Sequence, residues 1–151
     1  MTSEATFNYE AQAQGANAWE EALGIAARSR LGLIAQVQEG LPASAFDRFS
    51  KLAGLSREVL AHTLDVSTRT VARRKQTGKP LDRDTSERLV RLAILYRQAA
   101  NVIGDEDLAR QWMQTPREAL DGQAPLQMAQ TELGAREVED LLLRVEHGVF
   151  Y

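Results

Sequence analysis

A chain of 151 residues with 44% hydrophobic side chains is long enough to bury one core or two small ones, and its formal charge is −3. With no cysteine, four prolines and ten glycines, it excludes a disulfide framework, a thiol nucleophile, Cys-ligated zinc or iron–sulfur and a collagen-like composition. No run of eighteen apolar residues occurs, and the start MTSEATFNYEAQ lacks both a basic region and an apolar core, so the expectation is a cytoplasmic protein without a membrane span.

Every periodic stretch reads as helix. Residues 1–15 are polar and read as a tail. From Asn17 to Val37, Trp19, Leu23, Ala26, Leu33, Ile34 and Val37 recur at helical steps, with Gly32 as the expected break. Gly40-Leu41-Pro42 stops this segment. Ser44 is the candidate cap of a short helix with Phe46, Phe49 and Leu52 on its face, ending at Gly54. Ser56 caps the next, which carries Val59, Leu60 and Leu64. A turn at Asp65-Val66-Ser67 leads into a helix through Lys75, and Gly78-Lys79-Pro80 punctuates again.

Residues 84–103 hold the longest pattern, with Leu89, Leu92, Ala93, Leu95, Tyr96, Ala99 and Ile103 along one side. Gly104 ends it. Asp105 opens a helix through Met113, followed by a short helix ending near Gly122 and another over 126–132. Gly134 is expected to separate these from a last helix over 135–147, faced by Val138, Leu141, Leu142 and Val145. No segment alternates as a strand must, so the fold class is all-α.

Charge divides the chain. Residues 1–56 have net −2, residues 57–97 net +5 and residues 98–151 net −6. A basic middle between acidic ends fits one segment facing a polyanion and another meeting a different partner.

Enzyme signatures are absent: there is no phosphate loop, no Gly-x-Ser-x-Gly elbow and no His-Glu-x-x-His. His62 and His147 stand apart with no neighbour at metal-ligand spacing. Asp105-Glu106-Asp107 has a sufficient structural reason in the positive end of the helix that begins there. No catalytic residue, cofactor or metal is expected.

The informative stretch is 57–76, REVLAHTLDVSTRTVARRKQ. A helix-turn-helix needs a small residue where the second helix crosses the first, which is Ala61, and a tight turn, where Asp65 stands in place of the commoner glycine. Leu60, Leu64, Val66 and Val71 supply the inner faces. Ser67 is placed to cap the second helix, leaving Thr68, Arg69 and Thr70 to face outward. Arg69 has the planar fork that bonds guanine edges, Ser67, Thr68 and Thr70 suit phosphates or bases, and Arg73, Arg74 and Lys75 suit backbone phosphates. A single such motif covers one half-site, so a homodimer on a two-fold operator is expected.

The segment VSTRTVARRKQTGKPLDRDTSERLVRLAILYRQA resembles the middle of the MbcA/ParS/Xre antitoxins, through Arg69, Thr70, Arg73 and Arg74 and then Leu81, Ser86, Arg88, Leu89 and Arg91. The stretch from Ala109 to Tyr151 resembles that family's toxin-binding domain through Trp112, Pro116, Leu120, Gly122, Pro125, Leu126, Thr131, Gly134, Val138, Leu141, Leu142 and Gly148. Together these cover about residues 40–151. Asp65 at the turn and Arg74 at an often apolar position depart from the simplest repressor pattern.

The resemblance implies a type II antitoxin, with no enzymatic activity of its own, that inhibits a RES-domain toxin consuming NAD and represses its own operon. Some relatives instead neutralise an ADP-ribosylating toxin of similar fold. The implied division is an N-terminal segment over 1–38, a DNA-binding region with its connecting helix over 39–104, and a toxin-binding domain over 105–151. Toxin contacts fall to Trp112, Arg144, Glu146, His147, Gly148, Val149, Phe150 and Tyr151, in a complex that is a dimer or a higher hetero-oligomer with toxin. An aromatic anchor within an acidic surround suits such an interface, although Trp112 reads equally as a core residue. The alternatives are a stand-alone repressor whose C-terminal part dimerises or senses a ligand, and an adaptor that uses its basic patch for an anionic protein.

Overall fold

A computed structural model describes residue 19, residues 22–25 and residues 29–148. Among them no strand forms, apart from a single bridge pairing Arg117 with Gln123. Eight α-helices follow in order: α1 (Arg30–Glu39), α2 (Ser44–Ala53), α3 (Arg57–Thr63), α4 (Thr68–Thr77), α5 (Arg83–Ile103), α6 (Glu106–Gln114), α7 (Pro125–Met128) and α8 (Glu132–Glu146). A 3₁₀ turn over Glu118–Leu120 lies between α6 and α7.

The long helix α5 is the common wall. Its buried apolar side chains, Leu89, Val90, Leu92, Ala93, Leu95, Tyr96 and Ala99, include all those the periodicity assigns to one face except Ile103, which is half-buried. Helices α1 and α2 pack on α5 from the N-terminal part, and α6 and α8 pack on it from the C-terminal part. Trp19, Phe49 and Tyr96 meet in an aromatic trio with ring centroids 5.4–5.7 Å apart. Burial holds the Tyr96 phenol well above its ordinary pKa, an effect partly offset by Arg110.

The expected Asn17–Val37 helix differs in its break. The chain turns at Gly24, with φ 68°, and α1 starts afresh at Arg30 with Ser29 capping it. Gly32 lies inside α1 and breaks nothing. The turn is set at Gly24, whose left-handed φ suits glycine and where a Cβ would press on Pro42. Trp19 and Leu23 are buried as expected, but Ile34 is exposed and Leu33 and Val37 are half-buried. Ala26 and residues 1–15 lie outside the described residues.

Ser44 is not a cap but the first residue of α2, where its hydroxyl accepts a bond from Arg48. The expected helix over 126–132 is only the single turn α7. The expected separator Gly134 sits inside the first turn of α8, buried, because the crossing from α7 leaves no room there: a Cβ would run into the Met128 carbonyl.

Two hydrogen bonds close the N-terminal part into a ring. Leu81 N–H donates to the Leu41 carbonyl at 2.8 Å, and Leu41 N–H donates to Ser86 Oγ at 2.9 Å. Gly40 is required beside them, since its φ is 97° and a Cβ would strike the Leu81 carbonyl. Ser86 is fully buried. Replacing it with alanine orphans the Leu41 amide and should cost about 1–3 kcal/mol in denaturant unfolding. An unchanged midpoint would show that this ring does not hold the fold.

Candidate functional site

The turn between α3 and α4 is built by backbone hydrogen bonding. Asp65 adopts the left-handed conformation, with φ 53°. Its N–H donates to His62 O at 3.2 Å, and Val66 N–H donates to Ala61 O at 3.0 Å, which together close the end of α3 as a Schellman motif. Asp takes the position that usually falls to glycine because its short polar side chain tolerates that conformation. Ser56 caps α3 by accepting from Val59 N–H at 3.1 Å. Ser67 caps α4 by accepting from Thr70 N–H at 3.0 Å, and its own hydroxyl donates to Thr70 Oγ1 at 2.8 Å.

These bonds sort the expected DNA-binding residues. Ser67 and Thr70 hold the start of the helix together, so their hydroxyls are already engaged. Thr68 is half-buried. Arg69 and Arg73 project from the exposed face of α4, opposite Val71, the one buried side chain of that helix. Arg74 instead bonds the Pro80 carbonyl through its guanidinium at 2.7 Å. Lys75 bonds Asp47 at 2.9 Å. The structure thus brings Arg69 and Arg73 together and sends Arg74 and Lys75 to the flank facing α2 and the loop at 78–80.

Two residues of the exposed face escape a reading based on charge alone. Ala72 and Gln76 are exposed beside Arg69 and Arg73, at three, four and seven residues from Arg69. That spacing was the available signal. A small residue allows close approach to a groove, and a glutamine amide can bond adenine in a paired fashion.

The C-terminal part offers a different surface. Trp112 is half-buried on α6, packed against the core, with the Arg117 guanidinium 5.1 Å above its ring. Partial burial lowers the Arg117 pKa from its usual value. Leu108 on α6 and Leu133 and Leu143 on α8 are exposed apolar side chains. Leu133 edges an open groove of about 630 Å³ lined also by Gln127, Met128, Thr131, Arg136 and Glu137. In the last turns of α8, Arg144 is half-buried, while Glu146 and His147 are exposed. Gly148 leaves the helix with φ 71°. Val149, Phe150 and Tyr151 lie outside the described residues. On the same helix, burial raises the Glu139 pKa, helped by Asp140 and opposed by Arg136.

One side chain ties the two parts together. Arg110 of α6 donates through Nε to the Leu52 carbonyl at the end of α2, at 2.6 Å, while Asp107 and Glu106 pair with its other nitrogens. Among the described residues, no group of His, Asp and Glu is arranged to hold a metal ion, and no helix is long and apolar enough to cross a membrane.

Comparison with known proteins finds two matching domain families. Residues 32–93 match the Antitoxin Xre-like helix-turn-helix domain, and residues 98–148 match the Antitoxin Xre/MbcA/ParS C-terminal toxin-binding domain. The chain is similar to Antitoxin Xre of Photorhabdus laumondii, at 30% identity over 128 residues, covering 84% of this chain and 86% of that protein. It is similar to Antitoxin Xre of Yersinia enterocolitica at 29% identity over 133 residues, covering 87% and 89%. A chain in the crystal structure of the M. tuberculosis MbcT–MbcA toxin–antitoxin complex superposes with a TM-score of 0.55 at 27% identity, covering 72% of this chain and 96% of that one. The chain belongs to the Xre/MbcA/ParS antitoxin family, an all-helical antitoxin in which a helix-turn-helix domain precedes a toxin-binding domain.

Proposed function

We propose that this antitoxin inhibits a RES-domain toxin that consumes NAD and represses its own operon as a dimer, acting in the cytoplasm without a cofactor or a catalytic activity of its own. The observation that carries this reading is the toxin-binding domain matched over residues 98–148, joined through α5 to a capped helix with two free arginines on its outer face. DNA reading falls to α4, with Arg69 and Arg73 as principal contacts and Thr68, Ala72 and Gln76 alongside; Ser67 and Thr70 preserve the start of that helix. The division at residues 38/39 and 104/105 is part of this proposal, with α5 contributing to both sides of the second boundary.

On the toxin side, α8 docks and Trp112, Arg144, Glu146 and His147 contribute at the rim. Gly148 lets the chain leave the helix, and Val149, Phe150 and Tyr151 enter the toxin's nucleotide cleft. An apolar aromatic segment can occupy a site shaped for a base and phosphates. Deleting residues 149–151 then restores NAD consumption while the complex stays assembled, because the helices still supply buried area. Measuring NAD hydrolysis by the purified complex with and without these residues tests this. A trimmed complex that remains both assembled and inactive would discard the plug. The reading of a stand-alone repressor, whose C-terminal part dimerises or senses a ligand, is weakened by the match of residues 98–148 to a toxin-binding domain.

A further inference from the structure

Helix α4 is weakly anchored for a helix that must present side chains accurately. Val71 is its only buried residue. Beyond the turn at its start and the Schellman closure at Gly78, two polar tethers hold it: Arg74 to Pro80, and Lys75 to Asp47. Asp47 stands on α2 between Phe46 and Phe49, which are both fully buried, so its backbone is fixed in the core. One carboxylate oxygen takes Lys75 Nζ at 2.9 Å and the other takes Arg57 at 2.8 Å. The Arg57 guanidinium also lies 5.8 Å from the centroid of the Phe46 ring. A single acidic side chain of the core helix thus clasps the first residue of α3 and the last turn of α4.

We propose that Asp47 is a positioning residue for DNA recognition, holding the reading helix in register and keeping Arg57 and Lys75 from indiscriminate phosphate binding. This rests on the reading of α4 as the DNA-contacting helix. The Asp47 side chain is 20% exposed and its partners 45% and 55%, so the pairs contribute little to stability. Their consequence is geometric and electrostatic. With the clasp closed, Arg69 and Arg73 are the cations of α4 whose side chains have no tether among the described residues, and affinity is weighted toward the face that reads bases. With the clasp open, two more cations reach phosphate, α4 pivots about Val71, and sequence preference declines.

The test measures binding of the full chain to a duplex spanning the promoter of its own gene and to a scrambled duplex of equal length, at several salt concentrations. Asp47→Asn should bind the scrambled duplex more tightly, with a log–log salt slope steeper by about one to two. The ratio of promoter to scrambled affinity should fall about fivefold or more, equivalent to losing one base contact. Asp47→Glu should restore both quantities. Lys75→Gln opens the clasp from the other side, and should lower the ratio without steepening the slope. A structural role alone would lower the melting temperature and leave slope and ratio in place. If wild type discriminates between the duplexes while folded Asp47→Asn keeps the wild-type ratio and slope, the clasp is wrong and the reading helix stands. Should Asp47→Asn not fold, Lys75→Gln binding with an unchanged ratio overturns the clasp equally. If wild type shows no salt-dependent DNA binding, the reading-helix assignment falls, and the clasp with it.

Discussion

Replacing Arg69 and Arg73 together with alanine should lower affinity for promoter DNA by about 2–4 kcal/mol, roughly thirtyfold to a thousandfold, while toxin neutralisation is unchanged. Both side chains leave the outer face of a capped helix, and neither is held by an ion pair among the described residues. Their removal vacates no core position, so folding should be unaffected. Arg74→Ala makes the informative contrast. Its guanidinium is committed to the Pro80 carbonyl, so its loss loosens the loop after α4 more than it removes a phosphate contact. Gel-shift titrations across a salt series separate these outcomes. Unchanged promoter affinity in the double variant would remove α4 as the reading helix.

Gly134→Ala should be the most damaging single-methyl change in the C-terminal part. The added Cβ meets the backbone carbonyl of Met128, which cannot rotate aside as a flexible side chain would. Either α8 shifts along its length or the turn from α7 opens, at a cost of about 3 kcal/mol, a large share of the net stability of a domain of this size. Because α8 packs on α5 through Val138, Leu141 and Leu142, the displacement spreads along that contact. Toxin binding should weaken sharply, whereas promoter binding declines only as far as α5 is disturbed. Denaturant unfolding measures the first effect and co-purification with toxin the second. A variant as stable as wild type would show that the α7–α8 crossing is looser than this geometry requires.

Some residues that define local structure were legible in advance, although Ser44 was not the cap expected and the caps Ser29 and Thr131 were missed. Ser56, Ser67 and Asp105 announce helix starts, and each accepts a bond from the amide three residues on. Asp65 was readable as a left-handed turn residue for the same local reason. The α5 face was legible because one long amphipathic pattern overrides every local ambiguity. What the sequence withheld was decided across the fold. Gly32 and Gly134 look like helix breakers, yet one is tolerated within a helix and the other is demanded by the passage of Met128.

The candidate site divides in the same way. Arg69, Arg73, Arg74 and Lys75 are equivalent as a basic run. Only the positions of Pro80 and Asp47 distinguish the two engaged cations from the two that face outward. Asp47 itself carries no signal in sequence, being one acidic residue of an amphipathic helix. On the toxin side, Leu108 and Leu133 lie on no face the periodicity assigned and Leu143 falls off the face of Val138, Leu141, Leu142 and Val145, and packing leaves all three exposed.

The central claim, that this chain silences an NAD-consuming toxin, meets its most direct test in a titration. The purified chain is added to a purified RES-domain toxin, its proposed partner, and NAD is followed with time. The account predicts that NAD consumption falls in proportion to added chain and stops at a fixed molar ratio, with a complex recovered at that ratio. Undiminished NAD consumption in the presence of excess folded chain would contradict it.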